Sequence, residues 1–251
     1  MKLLIINPNI STSVSDLIEA EARRAANTET QITMCTAELG VAYIETRFEA
    51  LIGGYAAAIL AAEQAHLHDA VIIAAFGDPG IDGLREAMNI PVVGLTEAAL
   101  ASACLLGQRF SIIAISPRIT AWYRECVERN GLISRLASIR SLEEPLRDIG
   151  TVQTDHAERL VQLCEAAIEH DRADVIILAG APLAGLARQV KDRIPVPVVD
   201  GVSSAVCHAQ SLAILAPHGA SKGSFAAPPI KPNKGLPDAL SRLLARDRSE
   251  S

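Results

Sequence analysis

The side chains in this sequence that could do chemistry stand just after short apolar runs that read as β-strands. Asn7 follows Leu3-Leu4-Ile5-Ile6, Phe76-Gly77-Asp78-Pro79-Gly80 follows 70–75, and Thr96-Glu97 follows 91–94. Ser116 follows 110–115, Gly180-Ala181-Pro182 follows 174–179, and Asp200-Gly201-Val202 follows 196–199. Asp78 offers a general base, or an acceptor for a ring N–H; a capping aspartate in a Gly-Asp-Pro-Gly turn would need no chemistry. Glu97 opens an Ala-rich helix, where an acid either enters a site or simply complements the helix dipole. The Asn7 amide could orient a substrate carboxylate or carbonyl, against its ordinary use as a turn residue before proline. The Ser116 hydroxyl suits binding of a substrate oxygen, and no Gly-x-Ser-x-Gly elbow marks it as a nucleophile. Asp200-Gly201-Val202 begins a helix whose N–H groups could face an anion, with Asp200 as its cap. One further stretch, Tyr43-Ile44-Glu45-Thr46-Arg47, joins a phenol, a carboxylate and a guanidinium within five residues. It reads as a cleft lid with Glu45 as acid/base and Arg47 as carboxylate clamp; a surface ion pair is the competing account.

Positioning such groups requires a scaffold that brings many strand ends together. β-branched runs alternate with Ala-rich helical stretches, the pattern of a parallel sheet covered by helices. Strands are expected at 2–6, 70–75, 91–94, 110–115, 174–179 and 196–199. Helices are expected at 11–26, 48–66, 82–88, 97–106, 118–130, 153–170, 184–192 and 202–212.

The pattern occurs twice. Asp69-Ala-Val-Ile-Ile-Ala-Ala-Phe-Gly-Asp-Pro-Gly, a helix, Asn89-Ile-Pro-Val-Val-Gly and an Ala-rich helix to Cys104 form the first copy. Asp174-Val-Ile-Ile-Leu-Ala-Gly-Ala-Pro-Leu-Ala-Gly, a helix, Ile194-Pro-Val-Pro-Val-Val-Asp-Gly and an Ala-rich helix to Cys207 form the second, about 104 residues on. The sequence therefore predicts an α/β protein of two pseudo-symmetric parallel-sheet domains produced by internal duplication, with the active site in the cleft between them. Ligands of open parallel sheets bind beyond the carboxyl ends of the strands, so this cleft collects the residues named above. The expected division is 1–106 with 202–215 packed on it, 107–201, and a Pro/Gly-rich arm with a short helix over 216–251. The arm is expected either to run in solvent or to dock on a neighbouring chain.

Composition narrows the partners. The net charge of −6 argues against nucleic acid or an anionic membrane surface, since both call for a basic face. No apolar run approaches the length of a membrane span. The five cysteines lie far apart without paired spacing, as in reduced cytoplasmic proteins. The histidines show no metal-binding spacing, and His208 alone is a candidate for reaching the cleft. A cytoplasmic homo-oligomer acting on a small molecule, without metal or cofactor, is the expectation.

Ile6-Asn7-Pro8-Asn9, Phe76-Gly77-Asp78-Pro79-Gly80 and Pro197-Val198-Val199-Asp200-Gly201-Val202 together resemble the aspartate/glutamate/hydantoin racemase superfamily, and hydantoin and allantoin racemases in particular. The resemblance covers roughly residues 1–212. It implies two cysteines, one before Phe-Gly-Asp-Pro and one after the equivalent strand of the other half, that move a proton across opposite substrate faces without a cofactor. Here the first position is Ala75. The second is Gly180, or Ala179 if the match slips by one residue. The expected activity is therefore on a small cyclic ureide, imide or carboxylate by hydrolysis or another reaction that needs no pair of thiols. Alternatives are racemisation with non-cysteine bases such as Asp78 and Glu45, and a non-catalytic binding protein.

Overall fold

The computed structural model describes residues 1–144, 146 and 148–246. The chain forms strands β1 (Lys2–Asn7), β2 (Gln31–Thr36), β3 (Ala70–Ile73), β4 (Val92–Gly94), β5 (Phe110–Ala114), β6 (Leu136–Ser141), β7 (Val175–Leu178) and β8 (Val198–Asp200). Between and after them lie helices α1 (Thr12–Ala25), α2 (Arg47–Gln64), α3 (Ile81–Ala87), α4 (Leu95–Leu106), α5 (Thr120–Arg129), α6 (Val152–Asp155), α7 (Ala157–Asp171), α8 (Leu186–Val190), α9 (Gly201–Leu215) and α10 (Asp238–Ala245). Two four-stranded sheets result, ordered β2-β1-β3-β4 and β6-β5-β7-β8, and every pairing in both is parallel. The duplicated α/β architecture expected from the sequence is present.

Between their ends the inner strands are apolar except at Ser111 of β5, because helices cover both of their faces. In the first sheet the two-residue period divides them cleanly. Leu3, Ile5, Ala70 and Ile72 face the main core, whereas Leu4, Ile6, Val71 and Ile73 face a second cluster with Ala57 and Ala61 of α2 and Leu84 of α3. The edge strands β2 and β6 were not anticipated. Gln31-Ile-Thr-Met-Cys-Thr and Leu136-Ala-Ser-Ile-Arg-Ser are only half-buried, so their apolar signal is broken by polar residues.

The two halves exchange helices. α4 packs on β7 and β8 of the second sheet as well as on β4, while α9 packs on β3 and β4 of the first. α4 and α9 also pack on each other, with Gly201 beside Leu95 at one end and Ser102 hydrogen-bonded to His208 (3.2 Å) further along. His208 is thus a tie between helices and not a cleft residue. The arm after α9 runs largely exposed to solvent and touches its own chain at three places: Gly219 N–H donates to the Asn89 carbonyl (3.1 Å), Phe225 lies under the Arg85 guanidinium, and α10 packs on α2. Among the described residues no helix is long and apolar enough to cross a membrane.

Candidate functional site

A pocket opens where the carboxyl ends of the two sheets meet. Ala75 and Phe76 beyond β3 and Gly180-Ala181-Pro182 beyond β7 form facing walls. Ile115, Ser116 and Ile119 beyond β5, and Tyr123 from α5, close one side. Asn9 and the loop Tyr43-Ile44-Glu45 close the other.

Local rules hold these groups in place. The Glu49 carboxylate accepts from the N–H of Glu45 and of Thr46 (2.8 Å each), and the Thr46 hydroxyl accepts from Glu49 N–H (3.2 Å). This reciprocal cap both starts α2 and fixes the loop that carries Glu45. Phe76 and Tyr123 rest ring against ring, centroids 4.7 Å apart. Trp122 fills the space where a side chain on Gly77 would stand, so the second half is seated on the first beside the pocket. The Ser116 hydroxyl accepts from Arg118 N–H (3.2 Å), leaving its proton free to donate.

The strand registers settle which residues are equivalent. Ile6 pairs with Ile73 and Ile113 with Leu178, and in each half the next N–H donates inward, Ala74 to Ile6 and Ala179 to Ile113. One residue further lie Ala75 and Gly180. Ala179 is fully buried and lines nothing. Gly180 has φ +117°, a conformation L residues rarely adopt.

Of the anticipated site residues, Glu45, Phe76, Ser116, Gly180, Ala181 and Pro182 line the pocket. The others do not, and each has another task. Asp78 turns away: its two carboxylate oxygens accept from Thr96 N–H (2.8 Å) and Glu97 N–H (3.0 Å), capping α4. Glu97 accepts from Gly94 N–H (3.1 Å) and pairs with Arg85. Asp200 accepts from Val202 N–H (2.8 Å), Ser203 N–H (3.0 Å) and Gly185 N–H (2.6 Å). Of the N–H groups at the start of that helix expected to face an anion, those of Val202 and Ser203 are therefore taken by the molecule's own carboxylate. Gly201 instead permits the close approach of α9 to α4. Asn7 is fully buried, and its amide N–H groups donate to Asn9 Oδ1 (3.1 Å), the Ser11 carbonyl (3.1 Å) and Ser15 Oγ (3.0 Å), so it positions Asn9. Gly77 N–H donates to Thr96 Oγ1 (2.5 Å). Arg47 is no clamp: its Nε donates to Glu125 Oε2 (2.8 Å) on α5, on the outside of the molecule.

Asn9, Tyr43, Ile44, Ile115, Ile119 and Tyr123 are pocket residues that reasoning by strand ends did not select. Asn9 lay in the Asn-Pro-Asn motif, and Tyr43 beside Glu45. Tyr123 lies within a helix and carried no signal beyond the scarcity of aromatic residues.

Burial shapes the titration of the site. It pushes the Tyr43 phenol above its ordinary value, and the nearby Glu45 and Glu49 carboxylates push it further. Tyr123 is raised strongly, first by burial. Both phenols are thus protonated donors at neutral pH. Asp78 is pushed up to about 7 by burial and then by Glu97, while the amides of Thr96 and Glu97 pull the other way. Asp200 is raised too, again by burial first. No cysteine lines the pocket; Cys126 and Cys164 are buried and raised to about 11 and about 12 by desolvation. Among the described residues no group of His, Cys, Asp and Glu could hold a metal ion.

The family model for the Asp/Glu/hydantoin racemases matches residues 3–209. The chain belongs to that family. It is 34% identical to a hydantoin racemase of Paenarthrobacter aurescens, over 92% of this chain and 99% of that one. It is 33% identical to a hydantoin racemase of a Pseudomonas strain, over 86% and 87%. The solved allantoin racemase from Klebsiella pneumoniae superposes with a TM-score of 0.91 at 30% identity, covering 96% of this chain and 98% of that one. Within the racemase superfamily fold this pocket presents Ala75 and Gly180 on its facing walls and a carboxylate, Glu45, from a loop beside them.

Proposed function

We propose that this chain is a cofactor-independent enzyme that opens or otherwise transforms a small cyclic ureide or imide, with Glu45 as its single base. The observation that carries the reading is the make-up of the pocket: one carboxylate, two phenols, a serine and an asparagine among apolar walls, with methyl and hydrogen at the two opposed positions. Transfer of a proton across both faces of a substrate needs two groups that exchange protons near neutral pH. Ala75 and Gly180 have none, and Asp78 caps a helix outside the pocket. One base suffices for hydrolysis. Glu45 takes a proton from water, and the hydroxide adds to a ring carbonyl. The resulting oxyanion accepts hydrogen bonds from the phenols or from Ser116. The protonated Glu45 then returns its proton to the ring nitrogen as the C–N bond breaks, so one water is added in total.

Racemisation is the second reading, favoured by the names of the relatives; it would pair Glu45 with a phenol on the opposite face. Incubation of hydantoins and allantoin in heavy water, followed by proton NMR, separates the two. Ring-opened product is expected, lost by about 100-fold or more in Glu45→Gln. Cα exchange with the ring intact would replace hydrolysis by racemisation. Neither change with any ring would leave a binding protein.

A further inference from the structure

We infer that this pocket selects its ligand by charge, rejecting anionic substituents and favouring a ring whose side arm ends in an ammonium group, with Glu45 as the selecting residue. The inference rests on the proposed ring-binding role of the pocket and goes on to name the side arm. Three independent observations support it.

The first is the charge inventory. Among the described residues that line the pocket there is a carboxylate but no Lys, Arg or His. The surroundings do not offset it. Glu49 stands behind the Glu45 loop, and the Arg47 guanidinium is spent on Glu125. Arg118 follows Ser116 in sequence but is exposed and does not line the pocket. The second is the state of the helix N-termini. In parallel α/β proteins these are the ordinary receptors for a substrate carboxylate or phosphate. Here those of α4 and α9 are taken by Asp78 and Asp200, which stand outside the pocket, so neither helix start lends its capped N–H groups to an anion. The third is the wall itself. Tyr43, Phe76 and Tyr123 bring three aromatic rings to the pocket that holds Glu45, and ring faces attract cations.

The test uses three hydantoins of equal reach, carrying butyl, 4-aminobutyl or 3-carboxypropyl at the ring carbon, with binding to the whole chain measured by calorimetry. The ammonium ligand is expected to bind most tightly and the carboxylate ligand most weakly, the two separated by about 100-fold. Glu45→Gln should bring all three within about threefold, and Glu45→Asp, which keeps the charge, should restore the order. A carboxylate ligand that binds as well as the ammonium ligand overturns the inference, as does an order that survives in Glu45→Gln. Binding without turnover, but in the expected order, would sink the enzymatic reading while leaving charge selection intact. Failure of all three rings to bind would overturn both.

Discussion

The two halves solve one problem from opposite directions. Each must cap the helix after its last strand, and each does so with one buried carboxylate. In the first half the carboxylate comes from the loop after β3: Asp78 reaches across to α4, and the last residue of β4 is Gly94. In the second half it comes from the last residue of β8: Asp200 caps α9 and reaches back to the loop at Gly185. The registers align Gly94 with Asp200, since Ile73 pairs with the one and Leu178 with the other. A Cβ on Gly94 would overlap the Asp78 carboxyl. The same spot is filled by the same chemical group, and only its point of attachment has moved. What a duplicated fold retains here is an interaction and not a residue.

Gly94→Asp should break this arrangement most severely, since it puts a second buried carboxylate onto the first. The expected loss, read from urea unfolding, is on the order of 5 kcal/mol from overpacking and unpaired charge together. Adding Asp78→Leu copies the second half, where Leu183 occupies the matching loop position, and should recover most of that loss. Two losses that merely add would mean the halves are not interchangeable at this spot.

Acidity sharpens the same comparison. A carboxyl raised from 3.8 to about 7 holds its proton in the folded state while the unfolded chain has lost it. Asp78 therefore stabilises the fold most below pH 3.8, and that contribution declines as pH rises to about 7, by no more than about 4 kcal/mol in all. Asp200 acts with the same sign. The carboxylates lowered by arginine, such as Asp171 and Glu21, act with the opposite sign, and only below their ordinary values near 4. The urea midpoint should fall between pH 5 and 7; a midpoint that climbs over this range would mean that Asp78 is ionised throughout.

A smaller effect separates the two pocket walls. Ala75→Cys meets no backbone obstacle and should leave stability unchanged. Gly180→Cys has room for its side chain but must hold φ +117°, at a cost of about 1–2 kcal/mol. Equal unfolding midpoints for the two variants would remove this asymmetry. The smallest effect belongs to Arg47→Ala, whose partner Glu125 is as exposed as Arg47 itself. No measurable shift in midpoint is expected, and a clear one would make this ion pair a genuine strap between the halves.

The sequence displayed the fold better than the site, for a physical reason. Ile6, Ile73, Ile113 and Leu178 lie in inner strands buried on both faces, so they stand in apolar runs whose repetition is plain. The edge strands around Met34 and Ile139 face solvent on one side and left no such trace. Position at a strand end selected Phe76, Ser116 and Gly180, which line the pocket. It also selected Asp78, which caps α4, because the same strand ends must start helices and a cap and a catalytic acid share one residue type; Asp200, read from the sequence as the cap of its helix, is that cap. Tyr123 could not be found that way, since a helix in the middle of the second half reaches the pocket only through tertiary packing.

The seating of Trp122 on Gly77 has a practical consequence. It is the only tryptophan in the chain, it adjoins Tyr123 of the pocket wall, and its indole spans the contact between the halves. The protein therefore carries its own optical gauge. Any ligand that alters the gap between the halves will change the intrinsic fluorescence of a single, identifiable ring, with no label to introduce and no second indole to confuse the signal.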